Sequence, residues 1–518
     1  MELASKKSSR LWRTFDMRVE YVCTVVEELV QQAGNLGMMA SEDKVYSRNQ
    51  VLKQLGIHDF VPDRAEQVPA SIPDILEKLA DYAVEQKQIE NLLEEREQLT
   101  SSLMNVFIPQ PSVVNHRFYE KYEKDPVEAT DYFYELSQNS NYIQTKRIAK
   151  NIYYQVESQY GNLDITINLS KPEKDPKEIE KEKQRKMDAS YPPCLLCMEN
   201  EGYGGRIGHP ARSNHRLIRV PLEGERWYLQ YSPYVYYNEH CILLAEEHRD
   251  MKIQASTFKR LLVFVEKYPH YFMGSNADIP IVGGSILSHD HYQGGRYEFT
   301  LAKAPADYSF SLTDYPDVQG LVVKWPMTVL RLRSGSQENL VNAADMILKK
   351  WKDYNDPVRD IQAYTKGTAH NTITPIARCR GDEYELDLVL RNNRTNEEHP
   401  EGIFHPHADV HHIKKENIGL IEVMGLAVLP KRLAEELKEV ERYLLKDDQK
   451  VEPAHLPWAK ELKKKYGEQT DEEQADAIVK TEVGKKFLRV LEDAGVFKRD
   501  VNGQKGLEAF IKTLNQGS

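Results

Sequence analysis

Cysteine is scarce in this chain. Its 518 residues hold five, Cys23, Cys194, Cys197, Cys241 and Cys379, an odd and sparse set that excludes a disulfide framework of the kind that staples small secreted domains. Long apolar runs are also missing. The longest, such as Leu261 to Val265, fall far short of the roughly 20 residues that a membrane-spanning helix needs. No basic segment followed by an apolar stretch opens the chain, so no secretory signal is expected. Nor is there an excess of positive charge: 69 Lys plus Arg stand against 80 Asp plus Glu, a net charge of −11. An acidic chain is a poor general binder of nucleic acid or anionic membrane, although local basic pockets can still hold phosphates. These absences lead us to expect a soluble protein of a reducing cytoplasm, with neither nucleic acid nor membrane as partner. In that compartment the close pair Cys194 and Cys197 reads as a metal or redox site before it reads as a disulfide.

What is present organises the chain into four regions, and the length allows two to four domains. Residues 1–188 read as mostly helical. Val19, Val22, Val26 and Leu29 keep one helical stripe, and Pro73 opens a segment with Ile75, Leu79 and Tyr82 on one face. The region ends in an almost entirely charged stretch from Lys171 to Asp188, taken as a linker. Residues 189–310 change character. Short runs rich in β-branched and aromatic residues, Leu217 to Val220, Trp227 to Tyr231 and Cys241 to Ala245, suggest antiparallel strands, with a helix over Phe258 to Lys267. A second strand-rich block spans 311–430. Residues 431–518 are helical again, with Leu433, Leu437, Val440 and Leu444 at helical spacing. The fold class expected is α+β.

The chemistry concentrates between Gly283 and Gly295. As a strand, Ser285 to Gly295 would place His289, His291 and Gln293 on one face and Asp290 and Tyr292 on the other. Two imidazoles and an amide on one face are costly to bury without partners. A bare His-x-His is more often a solvent-facing edge, but Gly283-Gly284-Ser285 before it and Gln293 after it favour a phosphate site. A neutral imidazole is a good nucleophile near pH 7, provided its other nitrogen donates a hydrogen bond that fixes the tautomer. Gln293 can meet charge on phosphate oxygens without titrating. The glycines let backbone N–H groups and the Ser285 hydroxyl approach a phosphate closely.

A second constellation has metal-ligand spacing. Cys194-Leu-Leu-Cys197 forms a chelating knuckle, or alternatively a turn with two unligated thiols after Pro192 and Pro193. His248 ends a strand, and His289 lies upstream of the nucleophile candidate. Together these four would make a closed Cys2His2 set, structural rather than catalytic.

The order of these motifs, with the flanks Tyr191-Pro-Pro-Cys-Leu-Leu-Cys197, Glu239-His240-Cys241, Thr368 to Arg380 and His412 to Pro430, resembles the galactose-1-phosphate uridylyltransferases of the histidine-triad superfamily, in their long bacterial class. The resemblance implies two histidine-triad-like antiparallel-sheet units, 189–310 and 311–430, with helical segments before and after. It implies exchange of UDP-glucose and galactose 1-phosphate for UDP-galactose and glucose 1-phosphate through a uridylyl-histidine. His291 is then the nucleophile, and Gln293 stabilises the intermediate. Cys194, Cys197, His248 and His289 are then the ligands of a structural zinc. Asn276, Ser285 and His370 are substrate contacts, His370 having turn capping as its alternative. No organic cofactor is implied, and a homodimer is the candidate assembly. The chain departs from the shorter class of the family in having Asp290 where that class has proline. The shorter class also carries a second metal on one Glu and several His. The cluster His405, His407, His411 and His412 does not superimpose on that pattern, and reads as a polar or phosphate-contacting loop, with a metal as the alternative. Two rival functions share the motif: a related nucleotide phosphorylase or adenylyltransferase, and a non-enzymatic nucleotide-binding module.

Overall fold

A computed structural model describes residues 2–62, 70–170, 190–284, 286–446 and 450–516, with side chains from residue 19 onward. The charged stretch from Lys171 to Asp188 and the side chain of Ser285 lie outside the described residues. The chain divides into two compact units. One comprises Met1–Ala149, Pro172–Val220 and Tyr228–Tyr234; the other comprises Lys150–Lys171, Pro221–Trp227 and Val235–Ser518.

The first unit is built on helices: α1 (Glu2–Asn35), α2 (Lys44–Gln54), α3 (Ile72–Glu85), α4 (Leu93–Asn105), α5 (Pro111–Tyr122) and α6 (Pro126–Asn139). Proline opens three of them, where its missing N–H costs nothing. In α3 the Ser71 hydroxyl also caps the helix by accepting from the Asp74 amide. The apolar stripe Ile75, Leu76, Leu79 and Ala83 is buried, as its spacing requires.

Strands follow in chain order: β1 (Ile152–Ser158), β2 (Gly161–Ile167), β3 (Ile218–Leu222), β4 (Glu225–Tyr231), β5 (Cys241–Ala245), β6 (Phe272–Gly274), β7 (His291–Gly295), β8 (Ala306–Phe310), β9 (Gln319–Val323), β10 (Val329–Ser334), β11 (Tyr364–Thr365), β12 (Thr368–Ala369), β13 (Asn371–Arg380), β14 (Glu383–Asn392) and β15 (Leu426–Leu429). In the second unit, eight of these form an antiparallel sheet in the order β5-β7-β6-β13-β14-β10-β9-β8. The helices α7 (Ala255–Lys267) and α8 (Gln337–Lys352) pack on it and on each other. The hairpin β1-β2, inside a region whose periodicity reads as helical, pairs in parallel with β15. The C-terminal helices α9 (Leu433–Leu445), α10 (Leu456–Tyr466), α11 (Glu472–Ala494) and α12 (Val501–Leu514) complete the unit, and α11 covers β1. Separate helical and antiparallel regions make the fold α+β.

Register places the chemistry. His291 pairs with Leu244 and Gln293 with Ile242 and Gly274; Gly274 pairs with Ile376, Ile376 with Asp387, and Asp387 with Arg331. Cross-strand partners share a face, so one face runs from His291 and Gln293 to the buried Arg331–Asp387 ion pair at 2.6 Å. The strand is held tightly at Gly294. A Cβ there would lie 2.3 Å from the Phe272 carbonyl oxygen, and backbone cannot yield as a flexible side chain can. Gly294→Ala should therefore lower stability in denaturant titration by about 2–3 kcal/mol, the usual cost of overpacking. Gly335→Ala, with nothing within 4 Å of the new methyl group, should leave the midpoint unchanged. Equal midpoints for both variants would contradict this packing.

Candidate active site

His291 and Gln293 share one face of β7, whereas His289 precedes the strand, which begins only at His291. The residues before it are anchored by backbone bonds: Asp290 N–H donates to Arg249 O at 2.7 Å, and Ala245 N–H donates to Asp290 O at 3.0 Å. The first of these is a bond that a proline at 290 could not make. The side chain of Asp290 turns to Arg249, 3.3 Å away. On the same side Tyr292 stacks on Trp227, with ring centroids 4.9 Å apart and planes 15° from parallel. Arg249 and Arg260 lie over that indole, and both pair with Glu225. This packed, charge-balanced face holds β7 so that its other face can carry chemistry.

On that other face His291 is buried, and its Nδ1–H donates to the His289 carbonyl at 2.8 Å. A neutral imidazole has one N–H, so Nε2 keeps its lone pair. Burial pushes the His291 pKa down to about 4, which keeps the ring neutral near pH 7. Gln293 accepts at Oε1 from His240 Nε2–H at 3.1 Å. The amide's two N–H groups are thereby turned away from His240. His240 is itself buried, and burial pushes its pKa down to about 4 as well. Sequence reading gave His240 no role beyond a family-like flank. A buried His at a strand entrance has no spacing signature, and only the register that puts β5 beside β7 exposes its use.

The loop from Asn276 to Gly284 is a second element. Both glycines are required by close approach. A Cβ on Gly283 would lie 2.5 Å from Ile279 O, and one on Gly284 would lie 2.7 Å from Asn276 Nδ2. Asn276 braces this turn, and its Oδ1 accepts from the Leu420 amide at 2.9 Å. The loop is tied to the sheet by Thr372 Oγ1–H donating to Asp278 Oδ1 at 2.5 Å and by Asn393 Nδ2–H donating to Pro280 O at 3.2 Å. His370 joins through the same Asn393, its Nδ1 lying 2.7 Å from Oδ1. Its Nε2 is buried and meets no hydrogen-bond partner among the described residues. The geometry thus links His370 to the glycine loop, by way of an asparagine that sequence reading passed over.

The expected metal ligands form two pairs, one in each unit. In the first, Cys194 Sγ and Cys197 Sγ are 3.4 Å apart. Asn200 braces that knuckle by donating from Nδ2 to the carbonyls of Cys194 at 2.8 Å and Cys197 at 2.7 Å. In the second, the rings of His248 and His289 have centroids 4.9 Å apart. His289 is fully buried, and its Nε2 lies 2.8 Å from Ala245 O. Donation there leaves Nδ1 with its lone pair, the orientation device common to metal-ligating histidines. The cluster around Pro406 divides. His407 Nε2 donates to Ile403 O at 3.0 Å, and His412 Nδ1 lies 2.8 Å from His455 Nδ1, whereas His405 and His411 converge with Glu401.

Comparison with known proteins shows the family. Residues 37–250 match the family model described as galactose-1-phosphate uridyl transferase, N-terminal domain, and residues 264–460 match its C-terminal domain. Among similar curated proteins, a galactose-1-phosphate uridylyltransferase of Clostridium perfringens (strain 13 / Type A) is 51% identical over 95% of this chain and 99% of its own length. One of Enterococcus faecalis (strain ATCC 700802 / V583) is 50% identical over 96% of this chain and 98% of its length. A third, of Latilactobacillus sakei subsp. sakei (strain 23K), is 52% identical over 92% and 95%. With two family models covering most of the sequence and relatives half identical from end to end, the chain belongs to the galactose-1-phosphate uridylyltransferase family.

Proposed function

We propose that His291 is the nucleophile of a uridylyl exchange between UDP-glucose and galactose 1-phosphate. The observation that supports this most is the donation from Nδ1–H to the His289 carbonyl, which leaves Nε2 as the ring's lone-pair nitrogen. Nε2 attacks the uridine-linked phosphorus. An N–P bond forms, the P–O bond to glucose 1-phosphate breaks, and that phosphate leaves with the electron pair. The ring now carries positive charge, and the His289 carbonyl stabilises it through the same hydrogen bond. A phosphate oxygen of galactose 1-phosphate then attacks the same phosphorus. The N–P bond breaks, Nε2 recovers its lone pair, and UDP-galactose departs. No proton is gained or lost by the enzyme in either half, and ping-pong kinetics follow. Gln293, turned by His240, donates from its amide to the phosphoryl oxygens as charge develops. Asn276, Ser285 and His370 serve the substrate from the glycine loop and the start of β13. The strand pattern His289, His291 and Gln293 supports placing this site in the histidine-triad superfamily.

We further propose that Cys194, Cys197, His248 and His289 hold one structural zinc. The residues fit. Two thiols 3.4 Å apart are near the roughly 3.8 Å edge of a tetrahedral zinc–thiolate site, and a histidine oriented by a backbone carbonyl suits the imidazole side. When bound, the metal supplies rigidity and takes no part in the reaction. His289 would then offer its ring to the metal and its carbonyl to the nucleophile. We read the free thiols as those of a reducing cytoplasm. No helix among the described residues is long and apolar enough to cross a membrane.

Two outcomes test these readings. His291→Gly should abolish overall exchange with the fold intact, and added imidazole should restore one half-reaction by entering the cavity left behind. Gln293→Ala should still accumulate the UMP adduct, slower by roughly 10²–10³, and single-turnover mass spectrometry separates the two variants. An adduct on another residue in His291→Gly removes His291 from the role. For the metal, purified protein should carry about one zinc per chain at the thiolate set, and Cys197→Ser should lower zinc content and melting temperature together. Unchanged zinc in that variant excludes Cys197 as a ligand.

A further inference from the structure

One buried cation of the second unit has no counterion. Arg391, near the end of β14, is only 1% exposed. Alternation along the strand puts it on the same side as Asp387, and so on the sheet face that carries His291 and Gln293. Its Nη2–H donates to Ile418 O at 2.9 Å, and its Nη1–H reaches Thr374 Oγ1 at 3.4 Å. Its Nε–H is buried without a partner, and it forms no ion pair among the described residues. The carboxylate whose charge acts on it, Glu422, is already held by Lys414 at 2.9 Å. Burial lowers the Arg391 pKa to about 10, which leaves the guanidinium charged near pH 7. A buried charge without a partner raises the free energy of the fold, and such costs are retained where function needs them.

Two ties set Arg391 beside the glycine loop. The Ile418 carbonyl it meets is two residues from Leu420, whose amide donates to Asn276 Oδ1 at 2.9 Å. Thr372, its cross-strand partner, donates to Asp278 of the loop. That carboxylate is itself committed, to the Thr372 hydroxyl and to the Ile253 amide at 2.8 Å. The other groups of the site bring no positive charge. His291 and His240 are kept neutral by burial, and the amides of Gln293 and Asn276 do not titrate. Resting on the exchange reading above, we propose that Arg391 supplies the positive charge that holds the phosphate of the hexose 1-phosphate at the glycine loop. It acts through its field, not by contact, because Coulomb attraction falls only as the inverse of distance and is strong where water is excluded. A phosphate monoester, with close to two negative charges, gains most from such a field, and an uncharged nucleoside gains nothing.

The test measures binding instead of turnover, by calorimetry on the full chain with glucose 1-phosphate and uridine as probes. Arg391→Met and Arg391→Gln remove the charge, the glutamine keeping a donor for Ile418 O. Each should weaken glucose 1-phosphate by about tenfold or more and leave uridine binding unchanged. Arg391→Lys keeps the charge and should retain most of the affinity for both probes. Wild type that fails to bind glucose 1-phosphate contradicts the exchange reading, and this proposal with it. Wild type and neutral variants that bind glucose 1-phosphate equally overturn the role of Arg391 alone. So does a lysine variant as weak as the neutral ones, a parallel loss of uridine binding, or failure of all three variants to fold, since each marks Arg391 as a structural residue.

Discussion

A hydrogen bond from His291 Nδ1–H to the backbone carbonyl of His289 determines what this site can do. It fixes one of two tautomers that are otherwise close in energy, and so it decides which nitrogen keeps the lone pair that the proposed attack on phosphorus needs. The acceptor is a backbone atom two residues away and cannot swing aside as a carboxylate side chain could. It carries no net charge, and although it raises the basicity of the ring, the opposing effect of burial is larger. Burial then keeps the ring neutral. Tautomer and protonation state are thus set by separate features, one local and one due to the surrounding packing.

Much of the unit can be understood as the means of keeping that carbonyl in place. Asp290 and Tyr292, on the back of the strand, are committed to Arg249 and Trp227. Gly294 allows the neighbouring strand to approach to a distance at which any side chain would collide. His289 is itself held at its ring by Ala245 O. The replacement of the shorter class's proline by Asp290 fits this scheme. Proline stiffens the backbone through its ring; here a backbone hydrogen bond to Arg249 O and a carboxylate–guanidinium contact hold the same position.

The legible parts of the sequence were those with a period or a fixed spacing. Alternation along 289–293 gave the face, apolar stripes gave α3 and α7, and Cys-x-x-Cys gave the knuckle. Features that depend on pairing between distant segments left no such trace. The hairpin β1-β2 lay inside a region dominated by helical stripes, where its short strands lack length enough to declare themselves; α8 lay inside a block read as strands, although its buried stripe Leu340, Ala344, Ile347 and Trp351 carries helical spacing. His240 and Asn393 acquire meaning only when β5 lies beside β7 and β14 beside β13. The four histidines around Pro406 looked alike in sequence. They separate in the structure: His407 meets Ile403 O and His412 meets His455, while His405 and His411 converge with Glu401, His411 also meeting Pro406 O.

The most direct test of the central claim is nitrogen-15 NMR of the histidine rings, with His291 assigned by substitution. The account predicts a neutral ring protonated at Nδ1 in the resting protein. After incubation with UDP-glucose it predicts a phosphorus coupling at Nε2 of the same ring. A resting ring protonated at Nε2, or a phosphorus coupled to Nδ1 or to another histidine, would contradict it.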